Sequence, residues 1–132
     1  MKPRRLTLPI DSDERKGIPM WRGCLAYFAA ALAGVARHSR MGNDKHNPGQ
    51  EMHHARGKST DHADCIVRHL FDVYDMEAAI ERGQDVDVRE LLDEADALSW
   101  RSLALSQRLH EKYGGAPLAP GAREPEEPRP SS

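Results

Sequence analysis

The sequence predicts an all-α protein: a small bundle of three to four helices, with a long ordered loop between the first two. Three observations lead there. Apolar residues recur at spacings of three and four along three long stretches. Aromatic residues make up only 5% of the chain against a hydrophobic share of 39%, so Leu and Ala must fill most of the core. That favours close helix packing over a sandwich or barrel. Finally, residues that start and stop helices bracket the stretches.

A chain of 132 residues allows one domain. Residues 1–17 carry Pro3, Pro9 and Gly17 among charges and read as an N-terminal arm, with a short extended piece allowed at Leu6–Ile10. Residues 18–114 form the helical domain. Residues 115–132 hold five prolines with Glu and Arg and read as a disordered tail, because such a composition buries too little apolar surface to order itself.

Pro19 suits a first helical turn. After it Trp21, Leu25, Phe28, Leu32 and Val35 share one face, giving a helix over roughly 19–40 that Gly42-Asn43 should end. Residues 43–58 have no apolar period, and Asn47-Pro48-Gly49 is a turn. Ser59, Thr60 and Asp61 are good N-cap residues. The second helix that they open places Ala63, Ile66, Val67, Leu70, Phe71 and Tyr74 on one face, and either breaks near Asp72–Asp75 or runs on to Arg82 with Gly83 as its stop. Asp87 followed by Glu90 resembles a capping box for the third helix, which Gly114-Gly115 closes. Ala95, Ser99, Ser102 and Ser106 line one side of that helix, where a neighbour could approach closely.

The net charge of -2 gives no strong nucleic-acid signal. Its distribution is uneven. Arg37–Lys58 carries a net +3, whereas Asp61–Asp96 carries a net -9. A basic loop beside acidic helices can hold a polyphosphate together with its divalent cation. The Ala-rich run Leu25–Val35 is too short to span a bilayer, so no membrane partner is expected. The two cysteines form no Cys-x-x-Cys motif, which fits a reducing, cytoplasmic setting.

Polar groups crowd the second helix. Asp61, His62, Asp64, Cys65, Arg68, His69 and Asp72 occupy three turns. Residues three or four apart can share an ion, so Asp61 with Asp64, Cys65 with His69, and His69 with Asp72 are candidate pairs. A carboxylate pair suits magnesium or manganese, and a Cys or His pair suits zinc. Asp61, Asp64 and Glu94 are the candidate metal ligands, and His62 or His69 the candidate general base. Half-buried structural histidines are the plain alternative. Lys58 precedes the helix, where an anion would meet N–H groups and the positive dipole end. Arg56, Lys58 and Arg68 are the candidate phosphate contacts, and His46, Asn47 and His53 the loop residues facing a substrate. On the third helix Glu90, Asp93, Glu94 and Asp96 include a Glu-x-x-Asp spacing, which is also common on solvated faces.

Several segments resemble one protein family. They are Asp11-Ser12 with Glu14-Arg15-Lys16 and Ile18-Pro19, Ala26-Tyr27-Phe28, Gly42-Asn43 with His46-Asn47-Pro48-Gly49, Lys58–Cys65 followed by Arg68-His69-Leu70, and Trp100–Leu105 with Gln107. Together they span roughly residues 11–110, and the chain resembles the dATP/dGTP diphosphohydrolase N-terminal domain of bacteriophages. The resemblance implies hydrolysis of a purine deoxynucleoside triphosphate to monophosphate and diphosphate with a divalent metal, in the host cytoplasm. Magnesium or manganese is the expected ion, with zinc or cobalt as alternatives. Small helical nucleotide hydrolases often dimerise, and a homodimer is allowed for. The alternative function is a non-catalytic nucleotide-binding or protein-interaction module of phage origin.

Overall fold

The computed structural model describes residues 6–55 and 60–124. Their architecture is a small all-α bundle of four helices with one two-residue parallel strand pair. Helix α1, Ser12–Lys16, is a single turn within the expected arm. Asp11 caps it, its carboxylate accepting the Glu14 amide at 3.0 Å. No strand forms at Leu6–Ile10.

The first long helix differs from its expected form at both ends. A π-helical turn, Trp21–Leu25, is followed by a break, and α2 then runs Ala29–His46. Phe28 at φ -122, ψ 33 leaves helical geometry, and the chain bends by 83° between Ser12–Leu25 and Ala29–His46. The apolar spacing runs on through this bend because spacing records faces and not backbone continuity. Gly42-Asn43 does not end α2. Asn43 is buried inside it and donates from Nδ2 to the Gln50 carbonyl at 3.1 Å, holding the following turn. The stop comes four residues later at Asn47, beside Pro48-Gly49.

Helix α3, His62–Glu81, ends as the glycine foretold. Gly83 takes φ +79, with Gly83 N bonded to the Ile80 carbonyl and Gln84 N to the Ala79 carbonyl, a Schellman closure. Asp87 then caps α4, Val88–Tyr113, through a 2.9 Å bond from the Arg89 amide. The short link makes α3 and α4 antiparallel. Helix α4 packs against both α3 and α2, which make little contact with each other. Among the described residues no single helix is long and apolar enough to cross a membrane.

The core is thin and built from small side chains. Cys65, Ala97, Ala104 and Ala116 are its buried apolar members, and no large side chain among the described residues is fully enclosed. The expected inward face of α3 is turned outward: Val67, Leu70, Phe71 and Tyr74 are exposed. His62, Cys65 and His69 are the more enclosed side chains, and Glu94 of α4 meets His69. The expected close contact at Ser102 is likewise displaced. Ser102 is exposed and donates back to the Leu98 carbonyl, while Ala97 and Ala104 provide the close approach.

The tail expected to be disordered is placed through Glu124. Ala116 is buried, Ala119 N donates to Glu111 Oε2 at 3.0 Å, and Ala122–Arg123 (β2) pairs in parallel with His54–Ala55 (β1). Composition missed this because two backbone pairings and one buried methyl require little apolar sequence. Residues 125–132 lie outside the described residues.

Candidate metal site between α3 and α4

The antiparallel pairing sets a register. His69, in the middle of α3, meets Glu94 on α4, with Nδ1 and Oε2 2.7 Å apart and both side chains 28% exposed. Asp72 stands one turn further along α3, on the same face as His69. One donor atom from each of His69, Asp72 and Glu94 lies within 4.8 Å of the others. An imidazole with two carboxylates is a mixed nitrogen and oxygen set that suits manganese, magnesium or zinc. Three protein donors also leave coordination positions for water and substrate.

The surroundings are charged and anchored. Arg89 bonds Asp93 at 3.0 Å and lies 3.6 Å from Asp96, whose side chain is only 16% exposed. Asp96 sits against α2 so closely that a Cβ built on Gly34 would fall inside its carboxylate. Trp100 Nε1 donates to Ser39 Oγ at 2.7 Å, tying α4 to α2. The rings of His38 and His54 lie 5.9 and 4.9 Å from the Trp100 ring. Burial, and then the nearby His69, hold the His38 imidazole below its ordinary pKa, with Asp96 opposing. Burial thus disfavours the charged form of the His38 imidazole, which lies within electrostatic reach of the cluster.

No family model, curated protein or solved structure matches this chain.

Of the candidate metal ligands read from sequence, Glu94 enters the cluster. Asp61 does not join it: its carboxylate takes the Cys65 thiol and lies 3.9 Å from Arg68. Asp64 is exposed on the first turn of α3, also outside the cluster. Of the two candidate bases, His69 joins the cluster with its Nδ1 engaged by Glu94, while His62 lies two turns away at the start of α3. Arg68 donates to Cys65 Sγ at 3.2 Å and so stays over that first turn. His46 is exposed at the end of α2, Asn47 bonds back to Asn43, and the His53 ring bonds the Glu51 carbonyl. These contacts are local to the turn after α2. Arg56 and Lys58 lie outside the described residues.

Local sequence patterns do not single out His38, Arg101 and Arg108 as site residues. A signal for the arginines was present. Glu94, Arg101 and Arg108 are seven apart, as are His62 and His69, so antiparallel helices that match His69 to Glu94 also set His62 opposite Arg101.

Proposed function

We propose that this chain is a metal-dependent hydrolase of a purine deoxynucleoside triphosphate, dATP or dGTP, releasing monophosphate and diphosphate. The His69–Asp72–Glu94 cluster carries the hydrolase part of the reading. The likeness to the phage diphosphohydrolase domain supports the substrate. In this reaction a water oxygen bonds to the α-phosphorus, and the bond to the bridging oxygen breaks so that diphosphate leaves.

His69, Asp72 and Glu94 would hold the divalent cation. When bound, that cation would polarise the phosphate chain and lower the pKa of a coordinated water. His69 is fixed for ligation by Glu94 and so is poorly placed to act as the base. His38, kept neutral by its burial, is the better proton acceptor. Trp100 positions it by fastening α2 to α4.

Thermal melting with dGTP, with and without manganese, tests the reading. Stabilisation by nucleotide that manganese increases, together with metal-dependent diphosphate release, supports it. Neither effect would leave the second reading, a protein-interaction module. That reading is favoured by one observation, the exposed stripe of Val67, Leu70, Phe71 and Tyr74 along α3.

A further inference from the structure

The start of α3 holds two polar groups that the fold buries without partners. His62 is 7% exposed, yet its Nδ1 is enclosed and makes no hydrogen bond. Arg108, half-buried on α4, likewise has an enclosed Nε that makes no hydrogen bond. Burying such groups unpaired costs roughly 1–3 kcal/mol each, so native structures seldom leave them so without a reason. The helix register puts His62 opposite Arg101, with Arg108 two turns further along α4, and the charges of both arginines act on the His62 imidazole. Arg101 itself stacks near Trp100, its guanidinium carbon 5.6 Å from the ring centroid.

The helix end adds donors. Asp61, the N-cap residue of the 20-residue α3, makes no side-chain capping bond. The first-turn amides of a helix have no carbonyl partner within it, and they carry the positive end of the dipole. Two carboxylates stand here, Asp61 at the cap and the exposed Asp64 in the first turn, and Arg68 lies 3.9 Å from Asp61. With Arg101 and Arg108 these five side chains carry a net charge of +1.

We propose that His62, Arg101, Arg108 and the first turn of α3 form an anion site that receives the phosphate chain of a nucleotide. A phosphate oxygen there would accept from the Arg108 guanidinium and from the His62 ring, pairing the two enclosed groups. His62 lies seven residues from His69 on α3 and Arg101 seven from Glu94 on α4, about 10 Å along the helices from the cation cluster, with Arg108 two turns further out. A nucleotide lying along the α3–α4 groove would meet Arg101 at one end of its phosphate chain and the cation at the other. The assignment to a nucleotide rests on the hydrolase reading; the anion site itself does not.

The test is calorimetric titration of the full chain with inorganic tripolyphosphate in EDTA, and separately with dGTP. The parent should bind tripolyphosphate without metal. Arg108→Gln and Arg101→Gln should each weaken it roughly ten- to hundredfold, the loss expected for a charge-assisted hydrogen bond. Manganese binding at His69, Asp72 and Glu94 should be unchanged in both. If Arg108→Gln fails to fold, Arg108→Lys and His62→Gln carry the same comparison. Absence of binding by the folded parent, or equal affinity in parent and folded variants, overturns the anion site while leaving the metal reading intact. Arginine-dependent tripolyphosphate binding without manganese binding or turnover sinks the hydrolase reading and leaves the anion site standing. dGTP binding no tighter than tripolyphosphate overturns the assignment to a nucleotide in favour of a free polyphosphate.

Discussion

Two alanine substitutions in one helix should have opposite signs. Gly34 and Gly42 both lie inside α2. At each, Ala adds helix propensity worth up to about 1 kcal/mol. They differ in what the new methyl meets. At Gly42 there is nothing within 4 Å, so Gly42→Ala should stabilise. At Gly34 the methyl would overlap the carboxylate of Asp96. Either α2 and α4 must part, or Asp96 must rotate out and leave Arg89, which lies 3.6 Å away. That ion pair is half-exposed on the arginine side and contributes less than about 1 kcal/mol. Overpacking of the helix contact is the larger cost, about 1–3 kcal/mol. Since propensity cancels between the two variants, their stabilities should differ by that same amount, with Gly34→Ala the lower. Urea denaturation followed by circular dichroism reads the difference directly, provided the slope is shared. Equal midpoints would refute the close α2–α4 contact, and with it the placing of His38 beside the cluster.

Two further outcomes follow from the fold. The imidazoles of His38 and His62 are held below their ordinary pKa, chiefly by burial, so the folded chain resists protons that the unfolded chain accepts. Stability should be fully present above about pH 6.5 and fall as the pH drops below it, levelling once the depressed folded values are passed; a melting temperature that does not fall between pH 7 and 5 would contradict this, and His62→Gln should reduce the slope. Truncation after Gly115 removes the buried Ala116, the Ala119–Glu111 bond and the pairing of β2 with β1, and should cost about 2 kcal/mol by loss of the hydrogen bonds alone; an unchanged urea midpoint would show that this strap contributes nothing.

The helical class was legible because periodicity and punctuation agreed. Gly83 and Asp87 act as their residue types dictate, one through a positive φ and the other through a carboxylate on an amide. What remained hidden was decided by the partner helix. The spacing of Val67, Leu70, Phe71 and Tyr74 marks a face of α3 but not the side that α4 covers. That choice falls to His69 meeting Glu94 and to the alanines of α4, which admit a close approach. Gly42-Asn43 failed as a stop because Asn43 spends its amide on the Gln50 carbonyl from within the helix. The cluster was half legible. His69 with Asp72 follows from helical spacing, and Glu94 stood among the acidic candidates, but their union needed the register between two helices. His38 joins through α2, whose packing no local pattern announces.

The central claim is that His69, Asp72 and Glu94 hold one divalent cation on which turnover depends. Manganese titration followed by electron paramagnetic resonance, run on the parent and on Glu94→Gln and Asp72→Asn, tests it most directly when paired with diphosphate release from dGTP in the same samples. The parent should bind one manganese per chain, and each variant should bind it at least about tenfold more weakly, in line with the loss of a charged ligand contact. Turnover should fall in step while the circular dichroism spectrum is kept. Parent-like manganese affinity in both folded variants, or dGTP turnover that survives their loss of metal, would contradict the account.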